Sequence, residues 1–211
     1  MVEIILTRHG ETDWNLNEVF RGRIDVELNE TGVRQAELLG RHLSDVKIDF
    51  IYSSPLKRAL KTAEAIAGYQ ALDVNIVQGL IDFDYGEWQG LSHQEVKDRY
   101  QELYAEWLRR PERVRMPAGE SLEDVRKRAM TVVHDIMGIY HEGRVVLVSH
   151  RVVNKVLICS LLGLNNTHFW NIKLDACGIT SFTYEGGRFI LTRHNDTSHL
   201  KSVKETTLAD F

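Results

Sequence analysis

Val2-Glu3-Ile4-Ile5-Leu6-Thr7-Arg8-His9-Gly10 is the stretch from which the architecture is read: a brief apolar run that ends at once in a cation, an imidazole and a glycine. A run this short and this apolar, bounded by polar residues, reads as a buried strand. Ile48 to Tyr52 and Arg144 to Ser149 repeat the pattern, each β-rich, short and followed directly by polar residues. Strands apolar on both sides belong to parallel sheets whose two faces are covered by helices.

Helical patterns fill the intervals. Ala36, Leu39 and Leu43 recur at helical spacing after the turn signal Asn29-Glu30-Thr31-Gly32. Ser54-Pro55 predicts a helix start, with serine capping free N–H groups and proline in the first helical position. That helix is expected to run through Arg58 and Thr62 to about Gly68. Ser121-Leu122-Glu123-Asp124 resembles a capping box with Asp in place of the usual Glu or Gln. It opens a helix lined on one face by Leu122, Val125, Ala129, Val132, Val133, Ile136 and Tyr140. One helix each is expected over Ser92–Leu108 and Val152–Leu162. Ile179–Tyr184 and Arg188–Thr192, joined by Glu185-Gly186-Gly187, predict a hairpin. The alternation predicts an α/β fold: three layers, a mostly parallel central sheet and helices on both faces. Ligands of such sheets bind beyond the carboxyl ends of the strands. His9 and His150 both stand at strand ends, which brings them within reach of one another.

The 211 residues, 43% hydrophobic and 27% charged with three prolines, are those of one globular domain, without an internal linker or repeat. A net charge of −4 argues against nucleic-acid backbones and anionic membranes as partners. Positive charge for an anionic substrate must therefore be gathered locally. The basic run Arg109-Arg110-Pro111-Glu112-Arg113-Val114-Arg115 is broken by proline and glutamate, and reads as a solvated turn with surface ion pairs. Cys159 and Cys177 form no CxxC or metal spacing and are expected as buried free thiols. Met1–Leu6 carries an acid where a secretory signal has a basic region. The apolar stretch Val152–Leu164, interrupted by Asn154 and Lys155, is shorter than the roughly 20 residues of a membrane span. A cytoplasmic protein is expected.

Arg8 supplies a planar cationic fork suited to phosphate. His9 supplies a ring nitrogen able to attack, and Gly10 allows close backbone approach. Thr7-Arg8-His9-Gly10-Glu11-Thr12-Asp13-Trp14-Asn15 resembles the opening signature of the histidine phosphatase superfamily, in its phosphoglycerate-mutase-like branch. The resemblance continues, in the family's order, through Phe20–Arg23, Leu28–Ala36, Tyr52–Ala59, Asp82–Gly90, Gly119–Leu122, Val148–His150 and Asn195–Leu200. It implies a phosphoglycerate-mutase-like fold and hydrolysis of small phosphomonoesters, with His9 transiently phosphorylated so that one hard step becomes two. Arg8 and Arg58 match the family's cations around the phosphate, and His150 matches the histidine beside it. Asn15 matches an asparagine that binds phosphate oxygens, and Arg21-Gly22 stands at the pocket rim.

One carboxyl group can protonate the leaving alkoxide and then activate water. The family places a glutamate four residues before the glycine of its Gly-x-Trp-x-Gly segment. Here that segment is Gly86-Glu87-Trp88-Gln89-Gly90, so the position falls on Asp82, one methylene shorter; Asp84 and Glu87 are neighbouring alternatives. Arg21 replaces a frequent glutamine. Arg151 replaces a frequent glycine, and can narrow the pocket, meet a second anionic group or point to solvent. His199 stands near the site or serves as a structural cap. The other histidines form no HExxH or two-His-one-carboxylate pattern, so neither metal nor other cofactor is expected.

The resemblance admits two alternatives: a phosphoglycerate mutase using the same phosphohistidine, and a non-catalytic phosphate-binding module. The compact length favours hydrolysis, and the presence of His9, Arg8, Arg58 and His150 disfavours the module. Residues 82–120 and the C-terminal tail are expected to cap the pocket, for a small phosphorylated metabolite. A homodimer is compatible with the resemblance.

Overall fold

The computed structural model describes residues 1–16 and 19–203. Its centre is a six-stranded sheet in the order β3-β2-β4-β1-β5-β6. The strands are β1 (Val2–Arg8), β2 (Phe50–Ser53), β3 (Val74–Ile76), β4 (Gly143–Ser149), β5 (Ile179–Glu185) and β6 (Arg188–Asp196). β3, β2, β4 and β1 are mutually parallel, while β5 runs antiparallel to both β1 and β6. This is the mostly parallel sheet expected, with the hairpin as its antiparallel margin. β3 had no sequence signal: its three residues at the sheet edge are too few to carry a period, and it is held by pairing Val74 with Ile51.

Alternation along the strands divides the core in two. Ile4, Leu6, Val145 and Leu147 join one apolar cluster with Val133, Ile136, Val153 and Leu157. These helical residues belong to α6 (Leu122–Ile139) and α7 (Arg151–Leu161). Ile5, Val146 and Val148 point the other way, to Leu39, Leu43, Ala59, Ala63 and Ile66. Those lie on α2 (Glu30–Leu43) and α3 (Lys57–Gln70), the remaining short helix before them being α1 (Asp13–Leu16).

Two helix expectations need correction. The helix predicted over Ser92–Leu108 is two, α4 (His93–Arg99) and α5 (Gln101–Arg109). Tyr100 leaves helical geometry between them (φ −129°, ψ 43°), and its hydroxyl donates to Glu87 at 2.8 Å. The helix predicted from Ser54-Pro55 becomes regular only at Lys57, because Leu56 is extended (φ −71°, ψ 135°). Ser54 accepts the Leu56 N–H at 3.3 Å but also faces a histidine, as described below. The capping box at Ser121 forms, Asp124 taking both the Ser121 N–H (2.8 Å) and hydroxyl (2.7 Å). The basic run carries surface pairs, including Arg110–Glu106 at 2.9 Å and Arg115–Asp124 at 2.7 Å.

Cys159 and Cys177 are buried free thiols, and burial pushes them up to about 11 and about 12. Among the described residues no helix is long and apolar enough to cross a membrane. Of the expected cap, Lys204–Phe211 lie outside the described residues.

Candidate active site

β1 and β4 are adjacent and in register, Arg8 opposite Ser149, so their next residues emerge side by side. His9 and His150 accordingly stand with ring centroids 5.2 Å apart, their planes inclined at 59°. The His9 N–H still bonds the Ser149 carbonyl (3.0 Å), and the Ser54 N–H bonds that of Val148 (3.0 Å). Three chain segments thus converge at one end of the sheet.

The loop after β1 is anchored from two helices. Gly10 N–H donates to Thr62 Oγ1 (3.2 Å), and Glu11 N–H to Gln35 Oε1 (2.8 Å). Gly10 and Gly32 are packed backbone against backbone: a Cβ on Gly10 would collide with the Gly32 carbonyl, and one on Gly32 with that of Glu11. His9 Nδ1 lies 2.6 Å from the Gly10 carbonyl, so it carries the proton there. The opposite nitrogen, Nε2, is buried and accepts no hydrogen bond among the described residues. Burial above all, then Arg58, His150, Arg21 and Arg8, hold His9 well below the usual imidazole range. Burial again comes first for His150, followed by Arg58, Arg21, Arg128 and Arg8, all lowering it.

Arg58, wholly buried in the first turn of α3, is aimed by three acceptors. Nη1 donates to the Ile24 carbonyl (2.9 Å), Nη2 to the Gly22 carbonyl (2.8 Å) and to Asp82 Oδ2 (2.9 Å). Gly22 has φ +52°, a conformation few residues other than glycine adopt, and so presents its carbonyl to Arg58. Arg8 donates to the Leu174 carbonyl at 3.1 Å. Arg21 donates to Thr12 Oγ1 at 3.1 Å, and Asn15 Oδ1 accepts the Thr12 N–H and hydroxyl, both at 2.9 Å. Burial, then Arg8 and Arg58, lower the proton affinity of Arg21; Arg151 adds to this and Asp82 opposes it. Arg151, at the first position of α7, hydrogen-bonds Tyr85, whose phenol burial pushes up to about 12. The charge of Arg151 is also felt at Arg21.

The three candidate carboxylates separate clearly. Asp82 Oδ1 accepts the Phe83 N–H (2.8 Å), while Oδ2 faces Arg58 and lies 3.4 Å from His150 Nδ1. Asp84 instead pairs with Arg23 (3.2 Å), and Glu87 is bound by Tyr100. His199 stacks on His42 near the end of α2, ring centroids 5.1 Å apart, and Leu200 enters the α2–α3 core.

The sequence offered little hint of what holds Asp82. Arg128 of α6 donates to the carbonyls of Gly79 (2.8 Å), Ile81 (2.6 Å) and Asp82 (3.1 Å) and pairs with Glu120 at 2.9 Å. Glu120 also accepts the Asp84 N–H (3.0 Å) and pairs with Arg23 (3.0 Å). Glu120 and Arg23 fall inside recognisable blocks, but Arg128 looks like any arginine on a solvated helix. Ser54 likewise reads as a capping residue.

A buried histidine directly after β1 thus stands beside a second histidine and within the field of three arginines. Residues 4–197 match the model of the histidine phosphatase superfamily (branch 1), and the chain belongs to that family. It is 36% identical to phosphoserine phosphatase 1 of Hydrogenobacter thermophilus, over 95% of both chains. Its fold superposes on Bacillus stearothermophilus YhfR with a TM-score of 0.91 at 30% identity, covering 95% of this chain and all of that one. A phosphoserine phosphatase of Entamoeba histolytica, solved in complex with phosphoserine, gives 0.84 at 32% identity, again over 95% and 100%. The protein is a phosphomonoester phosphatase.

Proposed function

We propose that the enzyme hydrolyses its substrate through a phosphohistidine on His9. The observation that carries this is the state of His9 itself. Nδ1 is tied to the Gly10 carbonyl, which leaves the lone pair on Nε2, buried and without a hydrogen-bond partner among the described residues. Held low by burial and its cationic neighbours, the ring stays neutral and nucleophilic. In the first step the Nε2–P bond forms as the P–O ester bond breaks. Arg8, Arg58, Arg21 and His150 surround the place where the phosphoryl oxygens must lie, and stabilise their charge. Asn15, with Gly22 shaping the rim, completes the substrate-binding set.

Asp82, in its acid form, gives its proton to the leaving alkoxide. In the second step the carboxylate takes a proton from water as the water oxygen attacks phosphorus and the P–Nε2 bond breaks. Oδ2 is the oxygen turned toward Arg58 and His150, which supports this assignment over Asp84 and Glu87. The shorter side chain is served by a backbone that Arg128 and Arg23 hold in place.

The substrate proposed is a small phosphomonoester with a second anionic group, phosphoserine being the leading example. Arg151 and Tyr85 stand beside the phosphate cluster and suit a carboxylate. Relatives that are phosphoserine phosphatases support the same choice. Residues 82–120, which contribute Phe83, Tyr85, Trp88 and Trp107 to the core, form the pocket's outer wall. Rapid quenching with 32P-labelled phosphoserine tests the mechanism: label on the wild-type protein and none on His9→Ala is expected. Turnover without any labelled protein would overturn it.

A further inference from the structure

His150 and Ser54 make one of the shortest side-chain contacts in the buried site. Nε2 lies 2.7 Å from Ser54 Oγ, and both residues are wholly buried. The opposite nitrogen, Nδ1, is 3.4 Å from Asp82 Oδ2. Which nitrogen bears the proton decides whether His150 offers a donor or a lone pair to whatever lies on the Nδ1 side.

Two neutral arrangements are possible. In one, Nε2–H donates to Ser54 Oγ. That hydroxyl already accepts the Leu56 N–H at 3.3 Å, so it would accept twice while its own proton had no acceptor among the described residues. Nδ1 would then direct a lone pair at Asp82 Oδ2, a repulsive contact in the carboxylate form that the second step uses. In the other, the Ser54 hydroxyl donates to Nε2 and accepts from Leu56, so its donor and one lone pair are used. Nδ1–H then faces Asp82, an acceptor. A protonated ring, the third state, is opposed by burial and by Arg58, Arg21, Arg128 and Arg8.

We propose that Ser54 is a positioning residue: its hydroxyl donates to Nε2 of His150 and so holds the ring as the tautomer whose Nδ1–H faces Asp82 and the incoming phosphoryl group. His150 is then a neutral donor, and its partner His9 a neutral acceptor, although both rings carry the proton on Nδ1. The difference lies in which nitrogen each backbone turns toward the pocket. His9 spends its Nδ1–H on the Gly10 carbonyl and presents Nε2; His150 satisfies Nε2 on Ser54 and presents Nδ1. The catalytic meaning of this tautomer rests on the phosphohistidine reading above.

The test is a two-bond 15N–1H correlation spectrum of the full-length enzyme, with the His150 signals identified by their loss in His150→Asn. In the wild type His150 should show Nδ1 in the protonated and Nε2 in the unprotonated range. In Ser54→Ala the Nε2-protonated form should rise, and kcat should fall about 10- to 100-fold, by analogy with loss of the hydrogen-bond partner that orients a metal-bound histidine. A wild-type spectrum with Nε2 protonated overturns the proposal, and needs no variant to fold. So does a Ser54→Ala enzyme whose tautomer is unchanged. The spectrum does not depend on His9 chemistry: the expected tautomer together with a failed phosphate-trapping experiment would reject the phosphohistidine and leave the Ser54 assignment standing.

Discussion

His9 and His150 face each other at 5.2 Å because β1 and β4 are parallel neighbours in register, each ending one residue before its histidine. Their rings are not equivalent: His9 keeps Nδ1 on the Gly10 carbonyl, whereas His150 keeps Nε2 on Ser54 and has Nδ1 3.4 Å from Asp82 Oδ2. His150→Ala and Arg58→Ala should each lower kcat by about 10²–10³-fold, as for removal of one preorganised transition-state donor. Steady-state kinetics decide it, and a change below threefold in either variant would remove that residue from the phosphate site.

Asp82→Asn should lower kcat about 10²–10⁴-fold on an alkyl phosphate. The loss should shrink in the phosphorylation step with p-nitrophenyl phosphate, whose leaving group needs no proton. Pre-steady-state bursts separate the two steps. Asp84→Asn and Glu87→Gln should stay near wild-type rates, and a larger defect at either than at Asp82 would reassign the acid.

Arg128→Ala removes donors from three carbonyls and leaves Glu120 with fewer partners. The expected destabilisation is about 1–3 kcal/mol, the cost of unsatisfied, partly buried polar groups. Urea unfolding measures it. Activity should fall further than stability accounts for, because the Asp82 backbone loses its anchor; parallel losses would mean that Arg128 serves the fold alone.

Arg151→Ala should raise KM for phosphoserine about tenfold, the lower range for a lost charge-assisted hydrogen bond. The KM of p-nitrophenyl phosphate, which lacks a second anionic group, should stay put. An equal rise for both substrates would make Arg151 a general phosphate ligand.

The pH dependence of stability follows from the histidines. His9 and His150 are held well below 6.5, and His199 down to about 4, each chiefly by burial. Below pH 6.5 the unfolded chain therefore binds protons that the native state refuses, so stability falls with pH until the native rings titrate as well. Urea midpoints should be flat above pH 7 and decline from about 6.5 downward. His199→Gln should make the decline between pH 6.5 and 4 shallower; an unchanged slope would show that His199 is not held low.

Much of this was legible in local patterns. Short apolar runs before Arg8-His9 and before His150 announce parallel strands, and helical spacing along Leu122–Ile136 announces a covering helix, because burial on a repeating backbone leaves a repeating sequence. The family resemblance named His9, Arg8, Arg58 and His150 as candidates, and Asp82 with Asp84 and Glu87 as alternatives. What only the tertiary structure decided has no local signature. The three-residue β3 exists through its neighbour, and Tyr100 breaks a helix whose spacing looked continuous. Ser54 reads as a helix cap until β4 brings His150 within 2.7 Å of it, 96 residues away in the chain. Arg128 reads as a solvated arginine until its helix lies across the Asp82 segment. Residue type and spacing state what chemistry is available; which nitrogen carries a proton, and which carboxylate faces the phosphate, depends on contacts between segments far apart in sequence.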